Sequence, residues 1–152
     1  MKSFCAQIEQ AKNRGEEEKA DCRAIKFDGG FAKQNAVVDY IELFEQGLIM
    51  IEMKDLQSIM LNNFNGKPTE VELGKVFKNM INKFKNTLAS TQQEINDQLI
   101  SVSNYLVWKN NTDIVLMDRY LPAEFRNRPY QICKTDEICE KLSALNTRLC
   151  QE

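Results

Sequence analysis

Histidine is absent from this chain altogether. That excludes Ser-His-Asp and Cys-His nucleophilic machinery, histidine general bases and every histidine metal site. Any catalysis must therefore be built from carboxylates, lysine, tyrosine, cysteine or a bound ion. Long apolar runs are missing too: no stretch of about 18 apolar residues exists, which excludes a membrane-spanning helix of the usual kind. The first ten residues carry no apolar core of a secretory signal, and the expectation is a cytoplasmic protein with no membrane partner. An excess of positive charge is also lacking, since 20 Lys and Arg stand against 22 Asp and Glu for a net charge of −2. No global field advertises a polyanionic partner, and any basic surface has to be local. The five cysteines include no C-x-x-C pair, and their spacing does not suit a zinc ribbon. They are expected to be free, mostly buried thiols, with disulfides only in an oxidising compartment.

What is present is an ordinary globular composition, 43% hydrophobic and 28% charged over 152 residues. That length supports one domain, residues 1–152, with a sizeable core. Residues 3 to about 19 read as a short helix with Phe4, Ile8 and Ala11 on one stripe. Cys22 to Phe27 reads as a strand closed by a turn at Asp28, Gly29 and Gly30. A loop through Lys33, Gln34 and Asn35 leads into a strand from Ala36 to Phe44. Glu45, Gln46 and Gly47 suit a tight turn with glycine at positive φ, and Leu48 to Met53 is the next strand.

After a turn at Asn65 and Gly66, Thr69 and Glu72 form a capping box. It starts a helix carrying Leu73, Phe77, Met80, Phe84 and Leu88 at three-to-four spacing, extending toward Leu99. Segments 104–108 and 113–117 flank Asn110 and Asn111 as a second hairpin. Tyr130 to Cys133 is a short strand, and a final helix starts near Thr135. Trp108 and Tyr105 are read as core. The order is helix, three strands, helix, two or three strands, helix: an α/β (α+β) chain with a central mixed sheet flanked by helices.

The first hairpin carries an odd placement of charge. Side chains alternate along a strand, so Glu52 and Lys54 project to one face of an otherwise apolar run. If Phe44 pairs with Gly47, Asp39 lies directly across from Glu52; if Gly47 forms a bulge, the register slips by one. Either way two carboxylates lie on neighbouring strands at nearly the same height. Like charges that close repel unless a hard cation such as Mg²⁺ sits between them. A lysine on the same face could then orient a water, while the ion stabilises charge building on a phosphate. The bland alternative is a solvated ion-pair face on a surface strand. The apolar run from Leu48 to Met53 argues for burial on both sides.

Asp39 followed by Glu52, Met53 and Lys54, on the second and third strands of an αβββαβ succession, resembles the PD-(D/E)XK nuclease superfamily, over roughly residues 1 to 110. Lys26-Phe27-Asp28-Gly29 and Val38-Asp39-Tyr40 also look similar to compact members that read lysine-x-Asp-Gly and then Cys-Asp-Tyr, with valine here in place of the cysteine. The resemblance implies a restriction-endonuclease-like αβββαβ core and a Mg²⁺- or Mn²⁺-dependent nuclease, acting on nucleic acid and in the first place DNA. It implies metal roles for Asp39 and Glu52 and a catalytic role for Lys54. Lys83 matches the lysine or glutamine that such proteins often carry in the following helix, and Glu9 the acid that many carry in the first helix.

Asp28 is a candidate third acid, although Asp-Gly-Gly is a turn signal first. Lys75, Lys78 and Lys85 on the long helix, with Arg119, Arg126 and Arg128 around the proline-bracketed stretch, are candidate phosphate contacts. Their alternative is a solubilising face. Two readings stay open beside catalysis: an inactive nuclease-fold module that binds nucleic acid or a protein partner, and an α+β protein of unrelated function in which the strand charges are coincidental; whether the chain forms a homodimer is open as well.

Overall fold

The computed structural model describes residues 1–10, 18–32, 36–45, 47–55, 70–113, 115, 118–145 and 147–151. Among them a six-stranded mixed sheet runs in the order of the chain. Its strands are β1 (Cys5–Glu9), β2 (Lys19–Lys26), β3 (Tyr40–Phe44), β4 (Gly47–Lys54), β5 (Ile100–Trp108) and β6 (Tyr130–Lys134). Helix α1 (Glu70–Glu94) joins β4 to β5, and α2 (Thr135–Ser143) follows β6. The strands from β1 to β4 pair antiparallel, while β4–β5 and β5–β6 are parallel. The architecture is thus α+β with a mixed sheet and a helix on each face.

Seven of the eight β4 residues are buried, as suits a strand with neighbours on both edges and helices on both faces. On one face Met50, Ile41, Phe27 and Trp108 pack against Leu73, Phe77, Met80 and Phe84 of α1. On the other, Tyr40, Ile49, Ile51 and Val107 pack against Ile138 and Leu142 of α2. The predicted stripe of α1 is therefore its buried face, and the helix ends at Glu94, short of Leu99. Trp108 and Tyr105 are core residues as expected. The Asn65–Gly66 turn, the Lys33–Asn35 loop, the Thr69 cap and Gln46 lie outside the described residues.

Three readings of the sequence are corrected. The expected first helix is a single 3-10 turn (Lys2–Phe4) followed by strand β1. Phe4 and Ile8, four apart, satisfy helical spacing and strand alternation equally, and pairing with β2 decides for the strand. The second hairpin does not form: the Asn110–Asn111 turn is there, but Val115 and Asp118 have helical backbone. The edge of β5 that a hairpin would need is occupied by β6. The left-handed residue of the first hairpin is Glu45, φ 55°, and not Gly47. Gly47 is needed for room, because a Cβ there would collide with the Val102 side chain of β5.

The cysteines also depart from expectation. Cys5–Cys150 and Cys22–Cys139 are disulfides, leaving Cys133 as the free, buried thiol. Separations of 145 and 117 residues put these pairings beyond any local spacing rule. Paired cysteines are characteristic of oxidising compartments, so they weigh against the cytoplasmic expectation. No described helix is long and apolar enough to cross a membrane.

Candidate functional site

Phe44 pairs with Gly47 and Tyr40 with Ile51. One further step in that register brings Asp39 opposite Glu52, as the unbulged hairpin requires. Asp39 itself sits in the bend just before β3. The step after that should pair Val38 with Met53, but the ladder is broken there. The Val38 N–H donates to Thr87 Oγ1 of α1 at 3.0 Å, and its carbonyl accepts from the Asp28 N–H at 3.2 Å. The Met53 N–H is left without a backbone partner and donates instead to Asp39 Oδ2 at 2.9 Å. The site thus occupies the point where the β3–β4 ladder opens, on the α1 face of the sheet.

Glu52 is fully buried. Two ammonium groups reach its Oε2: Lys83 Nζ from α1 at 2.9 Å and Lys54 Nζ from the end of β4 at 3.3 Å. Both lysine side chains are about a quarter exposed, 26% and 24%, so the cluster opens to solvent on the lysine side. Among the described residues Glu52 Oε1 has no hydrogen-bond partner while Asp39 is ionised. A buried acceptor left unsatisfied costs about 1–3 kcal/mol, and more when charged.

Asp39 is pushed up to about 7, first by burial, then by the Glu52 charge and by a hydrogen bond shared with Glu52. The Met53 N–H and the Lys26 charge pull the other way. Lys26 lies 4.7 Å above the Tyr40 ring. Lys83 is shifted up: burial opposes its charge, but the Glu52 charge and hydrogen bond and the Asp39 charge outweigh it. With all four groups ionised, Asp39, Glu52, Lys54 and Lys83 sum to zero.

The donor chemistry fits a hard divalent cation. Mg²⁺ is commonly held by one or two carboxylates while keeping several waters. Asp39 and the orphaned Glu52 Oε1 supply two such oxygens. Among the described residues no group of three or more acids or cysteines converges, so within them no third acid joins the pair. A strand residue's N–H and C=O face the same neighbour, which turns the Met53 carbonyl toward the same gap.

The structure brings together four of the residues singled out in the sequence: Asp39, Glu52, Lys54 and Lys83. The others lie apart. Glu9 sits on β1 and not on a helix, with its backbone N–H donating to the Tyr40 hydroxyl at 3.3 Å. Asp28 belongs to the turn after β2, bridged to Ala32; no contact among the described residues links its side chain to the pair. Lys75, Lys78 and Lys85 are exposed on α1, and helical periodicity turns Lys78 and Lys85 well away from the direction of Lys83.

Arg119, Arg126 and Arg128 are exposed as well, Arg126 donating to the Asp118 carbonyl at 2.9 Å. Arg128 lines a cleft of about 680 Å³ with Ser101, Val102, Pro129 and Gln131. Ser101 pairs with Leu48, four residues down β4 from Glu52, about 13 Å at strand rise. The cleft and the acid pair are therefore separate places.

Sequence reading missed Thr87. Its signal was a hydroxyl within the apolar face of a helix, one turn after Lys83, where a polar atom needs a partner.

No protein-family model, curated protein or solved structure matches this chain. The reading of the site therefore rests on its own geometry.

Proposed function

We propose that this chain is a metal-dependent nuclease that hydrolyses phosphodiester bonds, with DNA as its substrate. The observation that carries the reading is Glu52: a fully buried carboxylate close to Asp39, with one oxygen held by Lys83 and Lys54 and, among the described residues, no partner for the other while Asp39 is ionised. A buried charge left half-satisfied is costly unless something completes it.

Asp39 and Glu52 would hold the cation, Mg²⁺ or Mn²⁺. When bound, such an ion stabilises charge on a phosphate and lowers the pKa of a coordinated water. Lys83 keeps Glu52 Oε2 occupied, which reserves Oε1 for the ion. Lys54, the last residue of β4, has a partly exposed ammonium that can donate to the attacking water or to a phosphate oxygen. Water adds to phosphorus, the bond to one sugar oxygen breaks, and that oxygen leaves with a proton. A neutral four-group cluster that gains a divalent ion carries +2, which suits an anionic substrate.

Purified Glu52→Ala and Lys54→Ala are expected to stay folded and to lose cleavage of plasmid and single-stranded DNA by about 10³-fold or more, in the range of electrostatic catalytic effects. Cleavage retained in both would sink the reading. A second reading is favoured by the same cluster's neutrality, since both ammoniums already engage Glu52: the fold would then bind nucleic acid or a protein without cutting. Such a module would leave DNA intact at every metal concentration.

A further inference from the structure

We infer that Thr87 is a positioning residue for the Asp39–Glu52 site, its hydroxyl holding the β3–β4 ladder open at Met53; as a role in metal binding, this rests on the nuclease reading. Thr87 is fully buried. Its Oγ1 accepts the Val38 N–H at 3.0 Å and donates to the Lys83 carbonyl at 2.7 Å. One hydroxyl therefore ties the segment carrying Asp39 to the helical turn carrying Lys83.

Register makes the consequence specific. Val38 stands opposite Met53 when the Tyr40–Ile51 pairing is continued, so its N–H is the natural partner of the Met53 carbonyl. Thr87 takes that N–H away. The Met53 N–H then receives the Asp39 carboxylate at 2.9 Å, which fixes where Asp39 points, and the Met53 carbonyl faces the gap. A threonine bonding its own helix one turn back is usual and by itself only local. The second bond, to Val38 in the segment before β3, 49 positions away, gives this one a tertiary role.

The test compares Thr87→Val, which keeps the volume and removes the hydroxyl, with Thr87→Ser, which keeps the hydroxyl. Two readouts are taken on folded protein: the dissociation constant of Mn²⁺ by calorimetry, and amide hydrogen exchange at Met53 with Ile51 as the control. Thr87→Val is expected to bind Mn²⁺ about tenfold more weakly, in line with lost outer-shell support, and to change amide exchange at Met53 at least tenfold with Ile51 unchanged. Thr87→Ser should stay within about twofold of the parent protein in both.

Parent-like Mn²⁺ affinity and Met53 exchange in folded Thr87→Val would overturn the inference. An equal rise in exchange at Met53 and Ile51 would also overturn it, because that is general loosening. If the parent protein binds no Mn²⁺, the metal reading fails by that result alone, and Met53 exchange still decides whether Thr87 sets the geometry. Should Thr87→Val not fold, Thr87→Cys, with a near-equal volume and a weaker donor and acceptor, carries the same comparison.

Discussion

Glu42 and Glu52 are both fully buried carboxylates on the two strands of one hairpin, and their surroundings are opposite in kind. Glu42 faces the α2 side and is satisfied on both oxygens. Arg148 Nη1 lies 2.8 Å from Oε2, and the backbone N–H groups of Leu43 and Cys150 donate at 2.8 and 3.2 Å. Two of its partners, Arg148 and Cys150, come from a C-terminal segment that is itself fastened: Leu149 N–H donates to the Leu43 carbonyl, and Cys150 is disulfide-bonded to Cys5. Glu52 has both of its lysine partners crowded on one oxygen and, among the described residues, none on the other while Asp39 is ionised, and those lysines reach solvent. A closed set of donors around a buried charge is what structure requires. An open set is what the proposed cation site requires.

The largest stability effect expected from this contrast is at Arg148. Its guanidinium is nearly buried, with a side chain 9% exposed, and replacing it by methionine strands the Glu42 charge. Breaking a buried pair by removing one partner costs about 3–5 kcal/mol. Chemical denaturation of Arg148→Met should show a loss of that size, with residual cleavage by the folded fraction unchanged per folded molecule. A loss below about 1 kcal/mol would mean that Glu42 finds water or another donor, and the distinction between the two glutamates would weaken.

The contrast also marks where the sequence was readable. The hairpin, the opposition of Asp39 and Glu52 and the buried stripe of α1 follow from local periodicity, Lys83 was pointed to by the resemblance alone, and each is present in the structure. Glu42 sits in the same short run as Asp39 and carries the same charge, yet nothing nearby in sequence announces Arg148, which lies 106 positions away. The disulfides, the loss of the first helix and the Thr87 bond to Val38 are of the same kind. Each is settled by which strand becomes a neighbour, and a pair such as Phe4 and Ile8 is silent on that point. Alternation says that a carboxylate is buried; only the tertiary partners say whether it is satisfied.

Adding the cation should separate the two regions next. Ligand binding to the native state stabilises it by about 2.7 kcal/mol at a concentration 100 times Kd, so Mg²⁺ or Mn²⁺ should raise the melting temperature. Asp39→Asn should abolish the rise, and Glu42→Gln should not. The pH dependence has two opposed signs. The raised folded pKa of Asp39, about 7, means that the metal-free native state keeps a proton that the unfolded chain releases near 3.9. The Asp39 contribution is fully present below about pH 4 and is lost as pH rises through 7. Cation binding needs the proton gone, so stabilisation by Mg²⁺ should be weak at pH 5.5 and grow through pH 7 to 8. Melting curves with and without Mg²⁺ across that range would diverge as pH increases; parallel curves would argue against Asp39 as a ligand.

The smallest expected effect is the most discriminating. Glu52→Gln keeps the shape of the side chain and removes its charge. The amide oxygen can take the place of Oε2 before Lys83 and Lys54, and the amide nitrogen then occupies the position of the orphaned Oε1 as a donor in the neighbourhood of Asp39. One like charge is removed from beside Asp39, so its carboxyl should titrate lower. The metal-free stability should change by about 1 kcal/mol or less, with either sign, because a costly unsatisfied acceptor is exchanged for a donor. The same substitution at Glu42 removes a charge that Arg148 and two N–H groups complete, and leaves the guanidinium nearly buried without its counterion. Equal losses in Glu42→Gln and Glu52→Gln would show that Glu52 is as structural as Glu42. A clear loss at Glu42 beside near-neutrality at Glu52, together with abolished cation stabilisation in Glu52→Gln alone, would show that the fold tolerates the Glu52 charge for the sake of what it binds.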